Sequence, residues 1–113
     1  MYWEARGREV PTRELIKTPV QIEGIRIAGE LNTAVLDEVA RNIHDGMSTL
    51  EIDKIVYDYT TQHGGTPAPL NYEGFPKSVC TSINEVVCHG IPKEEDILKE
   101  GDIINVDLSL IHI

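Results

Sequence analysis

The chain has 113 residues, of which 41% are apolar and 26% are charged, and this composition is typical of one globular domain. Its net charge of −9 argues against direct binding to nucleic acid, because the protein has too few basic groups to neutralise phosphates. There is no apolar run of the ~18 residues that cross a bilayer, and the first residues lack the apolar core of a secretion signal. We therefore expect a soluble cytoplasmic protein that binds neither nucleic acid nor a membrane.

Residues 1–17 carry mixed charges without a clear period, so we expect an extension that lies over the body or is partly disordered. The first helix should begin directly after this extension. Thr18 and Gln21 have the spacing of a capping box, and Pro19 suits the first helical position.

Apolar residues then recur at intervals of three or four positions, which predicts a helix that buries one stripe until Asp45 and Gly46 end it. Two glycines, Gly24 and Gly29, lie in the region of this stripe and predict close packing of the helix on a sheet. The residues of the stripe are Ile22, Ile25, Ala28, Leu31, Val35, Val39 and Ile43.

A second helix is predicted from another capping box, formed by Ser48 and Glu51, and Gly64-Gly65 should end it. Its apolar side is expected to carry Leu50, Ile55, Val56 and Tyr59. The two helices form a helical hairpin whose apolar faces need a sheet, so the sequence predicts an α+β fold with two helices packed on an antiparallel sheet.

From Thr66 onwards an irregular loop rich in proline and glycine is expected, followed by short strands at residues 79–83, 86–89 and 102–108. We predict a hairpin about Asn84 and Glu85, in which Cys80 lies opposite His89. Cys88 would then point to the other face, so the two cysteines should remain free thiols, as in a reducing compartment.

Asp107 is a candidate metal ligand because it interrupts an apolar strand. Ile104, Val106 and Leu108 should face a core, while Asn105 and Asp107 project from the opposite face. A buried carboxylate must be compensated by a cation, a basic partner or water. A short, hard aspartate ligand on a rigid strand suits a divalent ion, although a solvated or hydrogen-bonded aspartate is the commoner explanation of the pattern alone.

His89 is a candidate catalytic and substrate-binding residue, since it lies at a turn where Gly90 gives a substrate room to approach. Nearby, Tyr72 and Phe75 bring two aromatic rings close to Cys80, which predicts an apolar pocket beside a polar group. The alternative is that the two rings only pin the loop to the body.

Two segments together resemble the type I methionine aminopeptidases. Residues 71–92, NYEGFPKSVCTSINEVVCHGIP, match the signature of that family, and residues 101–107, GDIINVD, match its first metal-binding strand. The resemblance extends over about residues 16–108. Phe75 stands where many members have tyrosine, and Pro69 where some have cysteine.

The resemblance implies the N-terminal half of a pita-bread fold, in which two pseudo-symmetric α/β halves surround two divalent ions (Co, Mn, Fe, Zn or Ni). The implied reaction is removal of the initiator methionine from nascent polypeptides, with the ribosome as a partner and a monomeric parent protein. Two metal ions would share a hydroxide and polarise the scissile carbonyl.

The resemblance also implies roles for individual residues. Asp107 would be the first of five metal ligands, and His89 would contact the substrate near the scissile peptide. The methionine pocket would be lined by Tyr72, Phe75 and Cys80. The backbone carbonyls of Asn84 and Val86 would bind a monovalent cation.

We accordingly divide the chain into an extension (1–17), a partial catalytic domain (18–108) and a tail (109–113). The other four metal ligands would follow residue 113, so we expect this fragment to be inactive. The last six residues also correspond to one reading frame of a transposase end sequence used in DNA library preparation, which predicts an adapter origin for the tail.

Two alternatives remain open. A proline-specific relative with the same fold would keep the metal strand, but it should carry a large N-terminal domain. A metal-free binding relative would lack the downstream ligands.

Overall fold

The computed structural model describes residues 2–112 and has the predicted α+β architecture. Two α-helices lie against two antiparallel pairs of short strands, β1 with β4 and β2 with β3. The elements are α1 (Pro19–Asn42), α2 (Thr49–Gln62), β1 (Gly65–Pro67), β2 (Cys80–Ile83), β3 (Ile104–Asp107) and β4 (Leu110–His112).

Both predicted capping boxes are confirmed. The Thr18 hydroxyl accepts a hydrogen bond from the Gln21 amide at 3.2 Å, and the Gln21 side chain accepts one from the Thr18 amide at 2.8 Å. Ser48 and Glu51 form the same reciprocal pair at the start of α2. The first helix ends at Asn42, slightly before the predicted stop, because the backbone is already extended at Ile43.

Only the part of the predicted stripe from Leu31 to Val39 packs in the core, and its last residue, Ile43, is exposed. Val35 and Val39 belong to the core and Leu31 packs against it, whereas the side chains of Ile22 and Ile25 are more than half exposed. Within residues 2–112, α1 contacts α2 and β4.

The prediction that Gly24 and Gly29 pack closely on a sheet is wrong for the described residues. A Cβ built on either glycine has no neighbouring atom within 4 Å.

The core lies between the two helices and the start of β2. Its buried members are Val35, Val39, Met47, Ile52, Val56, Val79 and Leu98. In α2 the prediction missed Ile52, which is fully buried, and Ile55 and Tyr59 are only partly buried at the edge of the core.

The predicted hairpin between residues 79–83 and 86–89 is wrong. β2 pairs with β3 instead, with Cys80 opposite Asp107 and Ile83 opposite Ile104. Asn84 explains the difference, because it forms two hydrogen bonds with Ile103. The side-chain oxygen of Asn84 accepts from the Ile103 backbone amide at 3.0 Å, and the backbone amide of Asn84 donates to the Ile103 carbonyl at 2.8 Å. The residue after β2 is thus tied to the residue that directly precedes β3.

The two ends of the chain differ in their structure. Residues 2–17 contain two short 3-10 helices, Glu4–Arg6 and Arg13–Leu15, and are almost entirely exposed. Residues 110–112 form β4 and pair with β1, which lies within the segment predicted to be an irregular loop. The adapter origin of the tail stays a prediction, which resequencing of the source DNA tests.

Candidate active site

One cavity brings together the five side chains that the sequence singled out for catalysis, substrate binding and metal binding. It has a volume of about 630 Å³ and is lined by Tyr72, Phe75, Cys80, His89 and Asp107. Ile91 and Ser109 also line it, although neither was predicted from the sequence to do so. For Ile91 the available signal was its position two residues after His89.

The pairing of β2 with β3 places Cys80 and Asp107 side by side. Because directly opposed residues on neighbouring strands project to the same face, both side chains border the cavity. Burial raises the pKa of the Cys80 thiol, and the nearby Asp107 carboxylate raises it further. The thiol is therefore neutral at physiological pH and acts as part of an apolar wall.

Asp107 contributes a carboxylate to the lining of the cavity. As predicted, Ile104, Val106 and Leu108 pack towards the core, while Asp107 is exposed on the opposite face. Its carboxylate takes part in none of the ion pairs formed by residues 2–112. A carboxylate without a basic partner is free to bind a cation.

His89 is held in a left-handed backbone conformation with φ of 57°. The next residue, Gly90, is fixed to β2 through both of its backbone polar groups: its carbonyl accepts from the Thr81 amide at 2.9 Å, and its amide donates to the Ser82 hydroxyl at 3.1 Å. Although Cys80 and His89 do not oppose each other in a hairpin as predicted, this contact with β2 still brings both to the same cavity.

A further part of the cavity lining is a tight loop with unusual backbone angles. Asn71 and Glu73 both have positive φ, 65° and 48°, around the 3-10 turn Tyr72–Gly74. The backbone amide of Asn71 donates to the Phe75 carbonyl at 2.8 Å and closes the loop. Such conformations cost about 1–3 kcal/mol each and are concentrated at functional sites in proteins. The loop presents Tyr72 and Phe75 to the cavity instead of burying them, since Tyr72 is 68% exposed.

Asn84 and Val86, the predicted ligands of a monovalent cation, lie outside this cavity. They occupy the turn after β2, where the Val86 amide donates to the Ile83 carbonyl at 3.0 Å. The side chain of Asn84 is engaged with Asp102 and Ile103, so Asn84 could offer a cation only its backbone carbonyl.

The residues of the cavity fit part of a metal site and not a complete one. Among residues 2–112 there is no cluster of three or more histidine, cysteine, aspartate or glutamate side chains that could hold a metal ion. Asp107 is a suitable single ligand, but one carboxylate does not satisfy the coordination of a divalent ion.

Comparison with known proteins identifies the family of the chain. The model of metallopeptidase family M24 matches residues 23–112. Methionine aminopeptidase 1A of Arabidopsis thaliana is 53% identical over 95 residues, which cover 84% of this chain and 24% of the relative. Methionine aminopeptidase A of Synechocystis is 52% identical over 89 residues, covering 79% of this chain and 35% of the relative.

A solved structure gives the same result for the fold. The crystal structure of methionine aminopeptidase from Rickettsia prowazekii superposes with a TM-score of 0.81 at 44% identity, covering 85% of this chain and 38% of that one. The chain belongs to metallopeptidase family M24, and its fold corresponds to the N-terminal half of the pita-bread fold. It spans between about a quarter and two fifths of the length of these relatives. None of the helices within residues 2–112 combines the length and apolarity needed to cross a bilayer.

Proposed function

We propose that the chain is the N-terminal part of a metal-dependent methionine aminopeptidase, which removes the initiator methionine from nascent polypeptides in the cytoplasm. The observation that carries the proposal is the single cavity in which an apolar wall of Tyr72, Phe75 and Cys80 meets the polar groups of His89 and Asp107. An unbranched thioether side chain needs an apolar pocket, and the peptide bond beside it needs polar groups. The names of the relatives support the same reaction.

In this proposal each wall of the cavity has its own task. Tyr72, Phe75 and Cys80 bind the methionine side chain and exclude water from it. His89 holds a hydrogen bond to the peptide next to the scissile bond, since an imidazole ring nitrogen can donate or accept one.

Asp107 supplies one ligand to a pair of divalent ions, which polarise a carbonyl and activate water when bound. The chain itself offers too few ligands for that pair, so we propose that residues 2–112 alone do not catalyse the reaction. The backbone carbonyls of Asn84 and Val86 bind a monovalent cation. The whole protein acts as a monomer on nascent chains at the ribosome.

The experiment compares the 113-residue chain with a full-length coding sequence that contains it. Each protein is supplied with cobalt or manganese and the peptide Met-Ala-Ser, and free methionine is measured. The full-length protein should release methionine, and the 113-residue chain should not. Asp107→Asn in the full-length protein should abolish most of the release, whereas Glu100→Gln, which removes an exposed carboxylate outside the cavity, should leave it unchanged.

Two outcomes contradict the proposal. Absence of release by the full-length protein would refute the assigned reaction. Appreciable turnover by the 113-residue chain would refute the claim that its own ligands are insufficient.

A further inference from the structure

Asp53 lies outside the cavity but is connected to two of its walls. It projects from α2, and its side-chain oxygen Oδ1 accepts a hydrogen bond from the Ser78 backbone amide at 2.7 Å, across 25 residues of sequence. Ser78 lies three residues after Phe75 and two residues before Cys80, both of which line the cavity. The contact therefore acts on the short segment that joins the aromatic wall to β2.

The surroundings of this hydrogen bond indicate that Asp53 is there to hold the Ser78 backbone amide. Ser78 and Val79 are buried, with exposed fractions of 2% and 0%, and Asp53 is partly buried. Burial raises the pKa of Asp53, although the donated amide of Ser78 opposes this change. An acidic side chain in this place costs free energy of desolvation, so a hydrophobic residue would serve better if the position had only to fill space. What a carboxylate provides here is a strong acceptor for a backbone amide.

We infer that Asp53 is a positioning residue for the candidate active site: by holding the Ser78 amide to α2, it sets the distance between Phe75 and Cys80 across the methionine pocket. Its importance for substrate binding depends on the proposed function, whereas its effect on the geometry of the pocket does not. Without the carboxylate, the segment from Phe75 to Cys80 keeps its sequence but loses its anchor to the helix.

The two cysteines of the chain provide a test that requires no enzymatic activity. Cys80 is buried next to the anchored segment, and Cys88 is exposed on a different segment. The rate of alkylation of each thiol by iodoacetamide is measured by mass spectrometry under native conditions for the wild type and for Asp53→Ala and Asp53→Asn. Loss of one charge-assisted hydrogen bond should raise the rate at Cys80 by roughly tenfold through local opening, without a change at Cys88.

Asp53→Asn keeps an acceptor of weaker strength, so its rate at Cys80 should lie between those of the wild type and Asp53→Ala. A core variant, Val39→Ala, serves as the control for general destabilisation, since Val39 lies on α1 and does not line the cavity. It should lower the melting temperature without changing the ratio of the two alkylation rates. If Asp53→Ala does not fold, the result with Asp53→Asn decides, and it must exceed the wild-type rate by about twofold or more.

The inference is overturned if the Asp53 variants alkylate at wild-type rates, or if Val39→Ala changes the ratio equally. A second measurement links the residue to function in the full-length protein. There, Asp53→Ala should raise KM for Met-Ala-Ser by a larger factor than it lowers kcat, because the pocket walls bind the side chain and do not take part in the chemical step. A wild-type full-length protein without activity would refute the proposed function, and the alkylation result would still decide the role of Asp53.

Discussion

Gly90 lies so close to Thr81 that a Cβ atom at position 90 would be 1.9 Å from the Thr81 carbonyl oxygen. No side chain fits at this distance, and the obstacle is backbone of β2, which cannot swing away. The segment that carries His89 therefore approaches the sheet more closely than any residue except glycine allows. This contact holds the segment of His89 against β2, whose Cys80 lines the same cavity.

Gly90→Ala should displace the segment of His89 from β2. The free energy of unfolding should fall by about 1–3 kcal/mol, as at other overpacked sites. Urea denaturation measures this loss. Gly29→Ala is the matched control: its Cβ would have no neighbour within 4 Å, and its backbone is helical. That variant should gain up to about 1 kcal/mol. A Gly90→Ala variant as stable as the wild type would contradict the close approach of this segment to β2.

Thr49→Val should destabilise the protein by about 1–3 kcal/mol, the cost of unpaired buried polar groups. The fully buried Thr49 hydroxyl accepts from the Lys93 amide at 2.9 Å and donates to the Lys93 carbonyl at 3.1 Å, so it fixes the loop that follows His89 to the start of α2. Valine has nearly the same shape and removes both hydrogen bonds. Thr61→Val, on the exposed surface of α2, should change the free energy of unfolding by no more than about 0.5 kcal/mol. Equal effects of the two substitutions would show that the hydrogen bonds between Thr49 and Lys93 contribute little to the free energy of unfolding.

Ile25→Ala and Val35→Ala should differ strongly although both residues belong to the predicted stripe of α1. Ile25 is 60% exposed, and its replacement should be neutral within about 0.5 kcal/mol. Val35 is fully buried, and its replacement should cost about 2 kcal/mol through lost burial and a cavity. Thermal unfolding followed by circular dichroism measures both. A large loss in the free energy of unfolding for Ile25→Ala would contradict the exposure of Ile25, because it would mean that other residues cover this face of α1.

Asp102→Asn tests an electrostatic contribution to stability. The Asn84 side-chain amide and the Lys99 backbone amide both donate to the Asp102 carboxylate at 2.9 Å, and these bonds lower its pKa. A carboxyl group whose pKa is lower in the folded state stabilises the protein above its unfolded pKa of about 3.9 and loses that effect as the pH falls through its folded value. The wild type should therefore be more stable than Asp102→Asn at neutral pH.

The difference between the two proteins should shrink as acid protonates Asp102, which urea denaturation at pH 7 and near pH 3 measures. Asp45→Asn provides the control, because Asp45 is also exposed but lies in a turn outside this pair of hydrogen bonds. A difference between wild type and Asp102→Asn that did not depend on pH would refute the electrostatic explanation.

Features with a local cause were predictable from the sequence. The capping boxes at Thr18 and Ser48 depend on residues three positions apart, and the alternation around Asp107 follows from the geometry of one strand. The resemblance to a known family also selected five side chains that the structure places in one cavity.

Features determined over long distances were not predictable in the same way. The pairing of β2 with β3 depends on the contact of Asn84 with Ile103, 19 residues away, and a local hairpin was the simpler interpretation. Asp53 was missed for the same reason, because its partner Ser78 is 25 residues away. The exposed part of the stripe shows the converse: periodicity indicates which face of a helix is apolar, but it does not indicate whether anything covers that face.

The first turns of α1 illustrate what this exposure means for motion. Near its N-terminus the helix is supported by its own capping box and by the surface ion pairs of Arg26 with Glu23 and Glu30, and such pairs contribute little in water. Local fraying can therefore open this end without disturbing Val35 and Val39. Backbone amides there should exchange with deuterium orders of magnitude faster than those near Val39. The two halves of one continuous helix would then differ in how often their hydrogen bonds open.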